Sequence, residues 1–202
     1  MKGFTIKTEI EEYDTFGEYA AQAELGPQDL VLCGEHTYDK YVAPLSLGVQ
    51  TLFREKYGKG EPTDGMVDAI LDALREKEFD RIIAIGGGTV VDIAKVVAVV
   101  GKEDKVDDLY DNVDKLKKVH SLVIIPTTCG TGSEVTNISV INRVSKGVKM
   151  GLASNAMLAD KAVMITNMLD SLPYKIFATS SIDAMVHSVE SFLSPNGCSI
   201  SR

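Results

Sequence analysis

The sequence predicts an α/β fold in which a parallel sheet carries helices on both faces. Three observations lead there. Runs of Val, Ile and Leu recur along the first two thirds of the chain, segments of helical periodicity separate them, and one run ends in three consecutive glycines. A strand that is apolar at every position has both faces buried. Helices between such strands supply the crossovers that a parallel sheet needs.

The elements follow in order. Residues 29–33 (DLVLC) make the first strand, which ends at Gly34. Asp64 is placed to cap a helix that carries Met66, Ile70, Leu71 and Leu74 on one face. Residues 81–85 (RIIAI) form the second strand and run into Gly86, Gly87 and Gly88. A helix then opens at Thr89. Its stretch 90–100 is apolar nearly all round, which predicts burial. Residues 121–125 (SLVII) make a third strand, stopped by Pro126. Segments 137–141 and 148–153 read as strands of a β excursion from the same sheet. From Tyr174 to Leu193 the pattern is helical. The expected organisation is an α/β domain over 1–172 and the start of a helical region over 173–202, too short for a core of its own.

Composition narrows the function. With 29 acidic against 21 basic residues the net charge is -8. Nucleic acid is therefore not an expected partner, because phosphate binding needs a basic face. The opening MKGFTIKTEI has no apolar core, so no signal peptide is expected. The apolar run 96–100 is far short of the roughly 20 residues that span a bilayer, so no membrane association is expected. Cys33, Cys129 and Cys198 lack metal-site spacing and read as reduced thiols of a cytoplasmic protein.

Three motifs carry chemistry. In IAIGGGTVVDIAK (83–95) a buried strand meets three glycines where a helix begins. Free amides and the positive end of the helix dipole make that bend a site for phosphate or pyrophosphate. Neither the dinucleotide G-x-G-x-x-G fingerprint nor a Walker A loop is present. In IPTTCGTGSEVT (125–136) a second strand end presents Thr127, Thr128, Thr131 and Ser133, and Gly130 and Gly132 are expected to keep the approach open. In SSIDAMVHSVESF (180–192) Asp183 and His187 stand one helical turn apart. That spacing suits two ligands of one divalent metal, although two donors do not complete a site. Glu190 continues the same face as a partner for the histidine. Glu35 follows a strand, where an acid can hold a ribose, but it precedes the glycine bend instead of following it.

Taken together and in this order, GGGTVVDIAK, IPTTCGTGSEVT, KMGLASNAMLADKAVMI and SSIDAMVHSVES resemble the iron-dependent (group III) alcohol dehydrogenase family. The resemblance implies a Rossmann-like domain followed by an all-helical domain, with the active site between them. It implies that Gly86, Gly87, Gly88 and Thr89 bind the pyrophosphate of NAD, that Thr127, Thr128 and Thr131 contact the cofactor, and that Lys149 lies near its ribose. Glu35 falls where family members often carry an acid, and a carboxylate there repels a 2′-phosphate. Asp183 and His187 match the first two of four ligands to a divalent metal, Fe(II) favoured and Zn(II) compatible. The implied reaction is metal-assisted hydride transfer between a small primary alcohol or aldehyde and the nicotinamide, in a homo-oligomer.

Two departures stand out. The family's two further histidine ligands lie downstream of residue 202, so this chain by itself is expected to lack dehydrogenase activity. Thr166-Asn167 also replaces an Asp-Pro pair common in the family. Two rival readings remain: a dinucleotide-binding module without catalysis, and an enzyme like dehydroquinate synthase or glycerol-1-phosphate dehydrogenase. The TTCGTGSEVT loop favours the alcohol dehydrogenase branch.

Overall fold

The computed structural model describes residues 5–101, 105–170 and 172–200. Residues 1–4 of the segment read for a leader, Lys102, Ser171 at the expected boundary, and the final two residues lie outside that set. The strands are β1 (Glu9–Glu12), β2 (Asp29–Cys33), β3 (Gln50–Phe53), β4 (Arg81–Gly86), β5 (Ser121–Pro126), β6 (Ile138–Arg143), β7 (Val148–Ala153) and β8 (Lys161–Met164). The helices are α1 (Phe16–Gln22), a single turn α2 (Glu35–Thr37), α3 (Asp64–Leu74), α4 (Gly88–Val97), α5 (Val106–Asp111) and α6 (Tyr174–Leu193).

Six strands form one parallel sheet in the order β1-β8-β5-β4-β2-β3. Side chains alternate across a strand, and the core divides accordingly. Leu30, Leu32, Ile82, Ala84, Leu122 and Ile124 pack on one face with α3, α4 and α5. Val31, Cys33, Ile83, Ile85, Val123 and Ile125 pack on the other with Phe16, Tyr19 and Met168. An apolar residue at every position of the central strands is what this double burial requires. The edge strand β1 instead reads EIEE and is mostly exposed. A charged edge resists pairing with another chain.

Three expectations need correction. The cap of α3 is Thr63, whose Oγ1 accepts from the Met66 amide at 3.1 Å. Asp64 is the first helical residue, and its carboxylate accepts from the Val144 and Ser145 amides at 3.2 and 3.1 Å and from the Ser145 hydroxyl. Second, β6 and β7 are not part of the main sheet. They pair antiparallel as a separate two-stranded sheet packed over α4, through buried Ile141 and Leu152. Third, the helix after the glycines begins one residue early, at Gly88, with Gly87 as its cap.

Candidate functional site

The strand order reverses between β2 and β4. From β2 the chain moves outward to β3, and from β4 it moves the opposite way to β5. In open parallel sheets the crevice beyond the carboxyl ends of the strands at such a reversal is where ligands sit. The glycine bend follows β4, the hydroxyl loop follows β5 and Glu35 follows β2. Three segments singled out from sequence therefore meet at adjacent strand ends.

The three glycines have distinct local reasons. None of them has a positive φ, so dihedral freedom is not what selects them. A Cβ on Gly86 would lie 2.6 Å from Val90 Cγ2, so this glycine lets α4 close onto the strand. A Cβ on Gly87 would lie 3.0 Å from Thr128 Cγ2, so here the two loops touch. A Cβ on Gly88 would meet nothing within 4 Å. The Val90 and Val91 amides turn back to the Gly87 carbonyl at 3.0 and 3.1 Å. The Gly88 and Thr89 amides, immediately before them, have no carbonyl upstream in the helix and stand at its open, positive end. Thr89 Oγ1 donates to the Gly60 carbonyl at 3.4 Å, which brings the 58–62 loop beside the bend.

In the second loop, the Thr127 amide donates to the Gly86 carbonyl at 3.1 Å. Thr131 Oγ1 accepts from the Ser133 amide at 3.4 Å. The two glycines of this loop do not act alike. Gly132 faces open space, as expected for both. Gly130 does not. It has φ +104, and a Cβ there would lie 2.6 Å from the Ser180 carbonyl and 2.9 Å from Ala184 Cβ. It is the contact through which α6 lies against the loop, and the spacing of sequence motifs gave no sign of it.

Lys149, on β7, is exposed and ion-paired with Glu61 at 2.7 Å, so it stands near the same loop that Thr89 touches. Glu35 is exposed at the start of α2. Glu55, from the turn after β3, packs against Gly34 beside it.

On α6, His187 Nε2 and Asp183 Oδ1 are 3.9 Å apart, and both side chains are about half exposed. That is too long for a hydrogen bond, yet it leaves room for one cation accepted by both. The donor pair suits Fe(II) or Zn(II). Among the described residues no third His, Cys, Asp or Glu joins them, so the pair fits half of a metal site. His120 is far away, stacked on Phe79 at 4.3 Å before β5. It lines a cavity of about 280 Å³ at the amino-terminal edge of the sheet, opposite the crevice. Among the described residues no helix is long and apolar enough to cross a membrane.

Comparison with known proteins gives the family and the fold. A family model described as iron-containing alcohol dehydrogenase matches residues 8–166. The 4-hydroxybutyrate dehydrogenase of Clostridium kluyveri is 40% identical over 196 residues, which cover 97% of this chain and 53% of that protein. An iron-containing alcohol dehydrogenase from Thermotoga maritima superimposes with a TM-score of 0.81 at 26% identity, over 96% of this chain and 56% of that one. A sulfoacetaldehyde reductase from Bifidobacterium kashiwanohense, solved in complex with NAD+, shares the fold with a TM-score of 0.82 at 22% identity, over 97% of this chain and 54% of that one. The chain spans about half the length of these relatives.

Proposed function

The chain belongs to the iron-containing alcohol dehydrogenase family, and from that membership we propose that it binds NAD(H) across the carboxyl ends of β2, β4 and β5. It serves the interconversion of a small primary alcohol and its aldehyde, with 4-hydroxybutyrate and succinic semialdehyde as the favoured pair. The observation that carries the reading is the unobstructed space over Gly88 at the open end of α4, at the point where the sheet reverses. The identity of the C. kluyveri relative supports the substrate pair.

Each residue has a role in this reading. The Gly88 and Thr89 amides take the pyrophosphate, Gly86 and Gly87 shape the bend, and the Thr127, Thr128 and Thr131 hydroxyls contact the cofactor from the second loop. Glu35 accepts from the adenosine ribose hydroxyls and disfavours a 2′-phosphate. Lys149 exchanges its Glu61 partner for the cofactor. Asp183 and His187 hold a divalent cation, Fe(II) ahead of Zn(II). When bound, such a cation acts as a Lewis acid that polarises the substrate oxygen. The division at residues 172/173 is supported by α6, which has no buried residue. Its exposed Met185, Val189 and Phe192 support homo-oligomer formation in a cytoplasmic protein.

Fluorescence titration with NADH, followed by an assay with succinic semialdehyde and added Fe(II), tests the proposal. Saturable NADH binding is expected, with no turnover by this chain alone, because two donors hold a metal poorly. Absence of NADH binding would overturn the reading.

A further inference from the structure

The glycine motif ends in D-I-A-K, and phosphate binding leaves that ending unexplained. Lys95 is wholly buried in the last turn of α4. Its Nζ donates to Thr136 Oγ1 at 2.9 Å and to the Ile138 carbonyl at 2.7 Å. Thr136 Oγ1 in turn donates to the Ser133 carbonyl at 3.2 Å. One turn earlier, the Asp92 carboxylate accepts from the Val140 amide, and the Asp92 carbonyl accepts from the Ser139 hydroxyl at 2.9 Å. Both ends of the hydroxyl loop are thus tied to one helix. Thr128 rests on Gly87 at the start of α4, and Thr136 rests on Lys95 roughly 12 Å further along the helix axis.

We propose that Lys95, seconded by Asp92, is a positioning pair for the cofactor. It locks the 127–136 loop against the helix that carries the glycine bend, so that the two halves of the binding crevice hold one geometry before the cofactor arrives. An apolar side chain fills a core as well as a lysine and costs less to bury. The requirement met here is a long donor that serves a hydroxyl and a strand-end carbonyl at once. Burial drives the Lys95 ammonium down to about 8 against the pull of Asp92 and Glu134, and burial raises Asp92 to about 6 against Lys95, the Val140 amide and Lys149. Charges held at that cost are consistent with a specific task. The inference rests on the NAD-binding reading for its purpose, but the clamp itself can be read without ligand.

Lys95→Met keeps the length and the packing and removes the donor. Val96→Ala, buried in the same turn, is the control that weakens the core and leaves the Lys95 hydrogen bonds to the loop in place. Hydrogen exchange on the ligand-free chain is expected to show amides of residues 133–140 exchanging at least tenfold faster in Lys95→Met, and no such local change in Val96→Ala. The Kd for NADH is expected to rise about tenfold or more in Lys95→Met. Thr136→Val, which removes one acceptor, is expected to give a smaller rise and to add little on top of Lys95→Met. In Val96→Ala the Kd stays within twofold. Wild-type exchange at 133–140 in a folded Lys95→Met chain, or an equal rise in Kd in Val96→Ala, overturns the proposal. If the wild-type chain binds no NADH, the cofactor reading falls, and the exchange comparison still decides whether the clamp exists.

Discussion

Gly88 differs from its two neighbours in what a side chain there would meet. At Gly86 the obstacle is Val90, at Gly87 it is Thr128, and at Gly88 there is open space. Gly88→Asp is therefore expected to fold normally, since an acid in the first turn of a helix is favourable by about 0.3–1 kcal/mol. The same carboxylate would stand at the proposed pyrophosphate site, and the Kd for NADH is expected to rise at least about tenfold, or about 1.4 kcal/mol. Thermal melts and fluorescence titration on one preparation separate the two effects. Glu35 makes the second residue-scale test. Glu35→Ser is expected to narrow the NADH over NADPH preference by about tenfold, read from paired titrations, because the ribose would lose a carboxylate partner and a 2′-phosphate would lose a repulsive neighbour.

At the scale of elements, two contacts set how the pieces meet. Asp64 joins the start of α3 to the turn between β6 and β7. Burial raises its carboxyl, but the Ser145 hydroxyl and amide and the Gly65 and Val144 amides outweigh that and hold it below its usual value. Its contribution is therefore fully present above the ordinary carboxylate range and is lost as pH falls through the depressed native value. Asp64→Ala is expected to cost about 1–3 kcal/mol near pH 7. Denaturant unfolding should show the gap to wild type closing as pH falls from about 5 to about 3. Gly130 joins the second loop to α6. Gly130→Ala meets both a left-handed backbone and the Ser180 carbonyl, so it is expected to raise amide exchange in α6 while leaving β2, β4 and β5 protected.

The central strands and the main helices were legible because double burial leaves an unbroken Val/Ile/Leu run. The edges were not. In β1 only Ile10 is apolar, β3 is an edge strand of four residues, and β8, although interior, has four residues and pairs with β1 from the far end of the chain. The hairpin of β6 and β7 was recognised as β structure. Its separation from the main sheet depends on contacts with α4 that periodicity does not encode. Lys95 shows the same limit. A lysine in an apolar helix reads as a solvated interruption until its two acceptors, more than forty residues downstream, are placed beside it.

At the scale of the whole molecule, the sheet order accounts for the location of the site. The reversal between β2 and β4 opens a crevice at the carboxyl edge, and the glycine bend, the hydroxyl loop and Glu35 all border it. The motifs were readable one by one, and their convergence followed once the strands were taken as parallel. The proposed metal half was less legible. Asp183 and His187 share a helix turn, but nothing local in their spacing says that Gly130 seats this helix against the 127–136 loop. The direct test of the central claim is an amide-resolved NMR titration of the isotopically labelled chain with NADH. The account expects the largest shifts at Gly87, Gly88 and Thr89, smaller ones at Thr127 to Thr131, and none around His120 on the opposite edge. Saturable shifts confined to that opposite edge, or no shifts at the glycine bend at millimolar NADH, would contradict it.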